Sequence, residues 1–121
     1  MGSNIVRFDP IRGMASASIT GSYQPLGFLS APATAAPFQH AMRVLHFINN
    51  TNGDVLVSFD GSTNNTIVIA NAFDLYDLTS DQDSNEMFRY QLGTQVYIKY
   101  TSVPAMPTGT FYLVAIYGKG E

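Results

Sequence analysis

Residues 43–61, RVLHFINNTNGDVLVSFDG, constrain the fold more than any other stretch of the chain. Two runs of strand-forming residues flank Asn52-Gly53, the dipeptide best suited to a two-residue turn with φ > 0 at both positions. With that turn, the spacing predicts a β-hairpin in which Ile48 faces Val57, His46 faces Phe59 and Val44 faces Gly61. Strand side chains alternate between faces, so Leu45, Phe47, Leu56 and Ser58 fall on the other side. No catalytic group lies in this hairpin.

The rest of the chain reads as further short strands. Residues 5–12 predict an edge strand stopped at Pro10, with Asp9 and Arg12 as a local surface pair of little energetic weight. Residues 14–38 turn to Ala, Ser, Thr, Gly and Pro, and Pro25, Pro32 and Pro37 exclude a long helix. Ala17, Ile19, Gly21 and Tyr23 keep a period of two that predicts a strand over 16–24. The remainder, up to Phe38, reads as an extended arm that folds over its own sheet or crosses a neighbouring subunit.

Beyond the hairpin, strands are expected at 67–70 and 73–78, with a bend at Asn71-Ala72. A polar, acidic loop follows over 79–85, then an ambiguous short element at 86–90. A strand over 95–100 should place Val96, Ile98 and Tyr100 on the core. The last run, 110–117, is apolar on both faces and predicts either a central strand covered on each side or one buried by oligomer contact. Short strands joined by Gly, Pro and Asn turns imply an all-β fold, an antiparallel β-sandwich or jelly roll. We expect residues 1–38 to form an N-terminal strand and extended arm, and residues 39–121 the β-sandwich core, folded without the arm.

Composition narrows the function classes. At 121 residues there is room for one core, and charged residues are only 12% of the chain, about half the usual ~25%. Hydroxyls and amides supply the polarity instead and are easier to desolvate than full charges, which suits permanent packing against neighbours. The net charge is -3, with four Arg and two Lys and no adjacent basic pair, so no nucleic-acid partner is expected. Without Cys there is no disulfide, thiolate or Cys-bound zinc. Residues 1–4 lack the marks of a signal peptide and no apolar run approaches about 18 residues, so no membrane span is expected.

The candidate chemistry is sparse. Asp81, Asp83 and Asn85 open like a calcium loop, but Glu86 stands where an EF-hand needs Gly, and Leu92 where it needs Glu. A solvated acidic turn, with Asp77 nearby, is the simpler reading. His40 and His46 lack partners at metal-ligand spacing and read as core or interface residues. Asp54, Asp60, Asp74 and Asp77 are the carboxylates from which a glycosidase pair would come. Asp54 and Asp60, however, sit where turns want an Asx side chain accepting backbone N–H groups. No nucleophile elbow, P-loop or dinucleotide fingerprint is present. The expectation is therefore no enzyme, with no catalytic, cofactor-binding or metal-binding residues. Tyr97, Tyr100, Tyr112 and Tyr117 lie in or beside strands, where rings ending in a hydroxyl suit a subunit interface.

A set of ordered fragments carries a resemblance. These are Val6-Arg7-Phe8-Asp9, the stretch 17–23, Arg43-Val44 leading to Phe47 and Asn49-x-Thr51, Ser58-Phe59-Asp60-Gly61, and Phe73 with Leu75-Tyr76-Asp77-Leu78-Thr79-Ser80. Gly93-Thr94-Gln95-Val96-Tyr97-Ile98-Lys99, Pro107-Thr108-Gly109 and Tyr117-Gly118 complete it. Together they resemble small β-structured virion proteins of tailed bacteriophages. The resemblance implies a noncatalytic homo-oligomeric subunit located in the virion, in the head–tail joining region, the tail or the capsid surface as cement. Its partners would be copies of itself and other virion proteins, engaged through the arm and exposed strand faces. The alternative is a carbohydrate- or receptor-binding β-sandwich module, which requires rings exposed on one face with acidic or amide groups beside them.

Overall fold

The computed structural model describes residues 6–77 and 93–118. Its strands are β1 (Val6–Phe8), β2 (Arg12–Ala15), β3 (Gln24–Pro25), β4 (Val44–Thr51), β5 (Val55–Ser58), β6 (Thr66–Val68), β7 (Ala72–Asp77), β8 (Tyr97–Tyr100) and β9 (Gly109–Gly118). They form two antiparallel sheets packed face to face, a β-sandwich. One sheet runs β1-β9-β4-β7 with β2 also on β9, and the other runs β3-β8-β5-β6.

The pairing has a simple rule. β1 and β2 both lie antiparallel to β9 and act as one strand broken at residues 9–11. Counted so, the first strand pairs with the last, β3 with β8, β4 with β7, and β5 with β6. The chain is one long antiparallel ribbon folded back at residues 58–65. It is rolled so that β9 also joins β4 and β8 also joins β5. This is jelly-roll connectivity.

The core lies between the sheets. Leu45 and Phe47 of β4 and Phe111, Leu113 and Ala115 of β9 face Val55 and Val57 of β5 and Ile98 and Tyr100 of β8, all fully buried. Burying each large side chain contributes about 1.5–3 kcal/mol before chain entropy is counted. Val96, Ile98 and Tyr100 occupy the core as their alternation predicts. β9 is an interior strand of its sheet, but the core covers only its Phe111, Leu113 and Ala115 face, and its second apolar face looks away from the other sheet.

The hairpin at Asn52-Gly53 does not form. Ile48 pairs with Phe73 and Tyr112, His46 with Leu75 and Val114, and Val44 with Asp77 and Ile116. Neither Asn52 nor Gly53 takes a positive φ, and residues 52–54 carry the chain across from one sheet to the other. The reason is facial parity. A two-residue hairpin places Val55 and Val57 on the face of His46 and Ile48, away from Leu45 and Phe47. Crossing to the second sheet lets both sets face one core.

Gly53 is required by packing, since a Cβ there would stand 2.8 Å from the Tyr100 ring and 2.9 Å from Pro104. The true fold-back is the Asp60 loop. There Asp60 Oδ1 accepts the N–H groups of Ser62 at 2.8 Å and Thr63 at 2.7 Å, and Gly61 adopts φ 86.

The N-terminal segment also departs from expectation. Residues 16–24 hold a short 3-10 turn at Ser16–Ser18 and then the two-residue β3, because the chain crosses between sheets there. Ala17 is exposed while Ile19 is buried, which breaks the period of two. Ser16 instead bonds the buried Tyr100 hydroxyl. Met14, Ile19, Leu26 and Phe38 all enter the common core, so residues 14–38 fold back on their own sheets.

Arg12 and Asp9 are buried, not a surface pair: Arg12 Nη1 meets Asp9 Oδ2 at 2.6 Å and Nε donates to the Ala36 carbonyl at 3.1 Å. The guanidinium lies against the rings of Phe28 and Phe38, 4.6 and 5.0 Å from their centroids. One Arg12 thereby ties the broken first strand to the segment that follows it.

Candidate functional site

Alternation sends every second residue of the β1-β9-β4-β7 sheet away from the core. On β9 these are Tyr112, Val114 and Ile116, on β4 Val44, His46 and Ile48, and on β7 Phe73, Leu75 and Asp77. Phe8 stands beside Ile116 on β1. The outward face of a solvated antiparallel sheet is normally polar, but this one is largely apolar across four strands, with His46 and Asp77 as its polar members. Phe8 is 68% exposed, Phe73 65%, Val6 59% and Leu75 55%. Contiguous apolar surface on this scale marks an interaction site.

At one end of the same face lies a cleft of about 320 Å³, lined by Ile48, Asn49, Asn50, Asn71, Ala72, Phe73 and Tyr112. Its geometry follows from register. Phe73 and Tyr112 are the two cross-strand partners of Ile48, one on each side. The rings therefore rise from strands roughly 10 Å apart, with Ile48 as the floor between them. The amides of Asn50 and Asn71 stand at its rim. Both residues are exposed, and neither side chain, nor the Tyr112 hydroxyl, has a hydrogen-bond partner among the described residues. Asn71 has φ 59, a left-handed conformation that Asn tolerates. Asn49, by contrast, is fully committed: its Nδ2 donates to the Gly53 and Val68 carbonyls at 2.9 and 2.7 Å.

A smaller hollow of about 160 Å³ lies between Phe59, Asn65, Thr66 and Tyr76. The Thr66 and Tyr76 hydroxyls bond each other at 2.6 Å, and Asn65 accepts the Phe59 N–H at 2.9 Å, so its polar groups are already engaged.

Among the described residues, those that sequence reasoning singled out do not converge on a site. His40 stacks on Tyr117 with centroids 3.8 Å apart and planes 5° apart. His46 meets the edge of Phe73 at 5.4 Å on the outer face, not Phe59 as the hairpin register required. Asp54 and Asp60 lie at opposite ends of β5. Asp54 accepts the Ala70 N–H at 2.9 Å, which ties the bend before β7 to the crossing, and Asp60 caps its own loop. Asp74 and Asp77 are on β7 in the other sheet. Among the described residues no three His, Asp or Glu side chains gather as metal ligands.

The calcium-like stretch with Asp81, Asp83 and Asn85, the residue Leu78 and the element at 86–90 lie outside the described residues. Of the four tyrosines, Tyr100 is buried, Tyr97 covers Gly61 on the second sheet, Tyr117 is taken by His40, and Tyr112 lines the cleft. The cleft amides went unnoticed in sequence because Asn71 read as a bend residue and Asn50 as part of the strand leading to the Asn52-Gly53 turn. The available signal was the second apolar face of β4 and β7, which repeats that of β9.

No known protein-family model matches this sequence, and no curated protein matches it at a significant level.

Proposed function

We propose that this chain is a noncatalytic structural subunit of a tailed-phage virion, a jelly-roll building block that packs against copies of itself and other virion proteins. The observation that carries the reading is the apolar outer face of the β1-β9-β4-β7 sheet. Its part away from the cleft is formed by Val6 and Phe8 of β1, Val44 of β4, Val114 and Ile116 of β9 and Leu75 of β7, with His46 and Asp77 as the polar groups among them. Covering such a face removes apolar area from water at about 25 cal/mol per Å². A chain with only 12% charged residues has few charges to desolvate in doing so. The resemblance to small phage virion proteins supplies the context, and the jelly roll suits it because capsid domains use this architecture.

The test is the solution mass by light scattering over a concentration series, for the wild type and for the double variant Phe8→Glu with Leu75→Glu. Both positions are exposed, so the variant should keep its sheet signal in circular dichroism. The wild type is expected as a closed oligomer of defined copy number and the variant as a monomer. A wild-type monomer at every concentration, or an oligomer indifferent to both glutamates, rejects this face as the assembly surface.

A further inference from the structure

We propose that the cleft between Phe73 and Tyr112 is a binding site for a neutral saccharide, holding one pyranose ring over Ile48 with its hydroxyls toward Asn50 and Asn71. The inference is independent of the assembly reading. The cleft occupies the end of the sheet where β4 runs out and β7 begins, whereas Val6, Phe8, Val44 and Ile116 lie at the other end.

Four observations converge on this ligand class. The volume, about 320 Å³, is within the range of small-molecule sites. Two rings flank an apolar floor, and a pyranose presents C–H groups on its faces, which the negative face of an aromatic ring attracts. Asn50 and Asn71 each offer amide donors and an acceptor, the combination that matches hydroxyls, which are both. None of the lining side chains is charged, so a carboxylate, phosphate or ammonium ligand would be desolvated without compensation.

A purely apolar occupant would make no use of the two rim amides and the Tyr112 hydroxyl, which have no protein partner among the described residues. Asn71 takes its left-handed conformation from the bend closed by the Ala72 N–H to Ile69 carbonyl bond at 3.1 Å. Asn50 is on a regular strand, where no turn calls for an amide.

The experiment is titration of ¹⁵N-labelled full-length protein with the methyl glycosides of glucose, galactose, mannose and N-acetylglucosamine, with indole and glucuronic acid as controls. At least one neutral glycoside is expected to give saturable shifts confined to residues 48–50, 71–73 and 110–112 and the two side-chain amides. The dissociation constant is expected at about 1 mM. Phe73→Ala, and separately Asn50→Ala with Asn71→Gly, should weaken it at least tenfold while leaving circular dichroism unchanged. Glycine at 71 retains the positive φ.

Absence of saturable shifts with all four glycosides, shifts located elsewhere, or stronger binding of indole or glucuronic acid would each overturn the proposal. Because the Phe8→Glu and Leu75→Glu variant keeps the cleft, it should bind the glycoside even as a monomer. Failure of the assembly reading is thereby distinguishable from failure of this one.

Discussion

Arg12 shows how far one residue's meaning depends on its surroundings. An Asp-Pro-x-Arg sequence reads as a surface pair, yet here both members are buried and the guanidinium is held between rings. A buried pair is weak evidence of net stabilisation, but breaking it is expensive because one charge is left without its partner. Asp9→Ala is therefore expected to destabilise the fold by about 3–5 kcal/mol in urea unfolding. The double replacement Asp9→Leu with Arg12→Met should recover much of that loss.

Asp60 is the opposite case, an exposed carboxylate whose behaviour its loop already implies. The N–H groups of Thr63 and Ser62, then the hydroxyls of Thr63 and Ser58, hold its acid form well below the ordinary carboxylate range. A depressed value means that the stabilisation is present above the unfolded pKa and is lost as pH falls through the lower folded one. The loop should thus keep its order through the ordinary range near ~4 and open only in stronger acid. A carboxyl ¹³C titration of Asp60 with a midpoint at the ordinary value would show that these bonds are not made in solution.

Among the elements, the crossing from β4 to β5 decides the topology, and Asn49 holds it. Its amide donates to the Gly53 and Val68 carbonyls, and its Oδ1 accepts from the Thr51 N–H at 3.1 Å and hydroxyl at 2.6 Å. Asn49→Ala leaves these groups buried and unsatisfied, for an expected loss of about 3 kcal/mol by denaturant unfolding. Asn52, exposed, bridges to the Met106 carbonyl and the Thr108 N–H, and its change to Ala should cost about 1 kcal/mol. A Asn-Gly hairpin predicts the reverse order, with residue 52 the more sensitive. The comparison of the two variants therefore tests the crossing directly.

For the whole molecule, the sharpest question is what residues 1–38 contribute. Among the described residues they supply β1, β2 and β3, and they place Met14, Ile19, Leu26 and Phe38 in the common core. Removing them strips β9 and β8 of a neighbour each and opens the core at both sheets. Deletion of residues 1–38 is accordingly expected to abolish the native sheet signal in circular dichroism. A truncated protein with cooperative unfolding would show that residues 39–121 suffice.

What was legible in the sequence was local and periodic. Alternation placed Val96, Ile98 and Tyr100 inside, set Phe73 and Leu75 opposite Tyr76, and marked β9 as apolar on both faces, because a strand's period of two depends only on its own backbone. Short strands punctuated by Gly, Pro and Asn sufficed for an antiparallel sandwich. The tertiary structure alone decided where the ribbon folds back, because Asn52-Gly53 and the Asp60 loop both carry turn chemistry. The choice between them rests on bringing Leu45, Phe47, Val55 and Val57 into one core. It also decided that Asn50, Asn71, Phe73 and Tyr112 share a cleft, since residues from three strands become neighbours only through pairings that no local signal encodes.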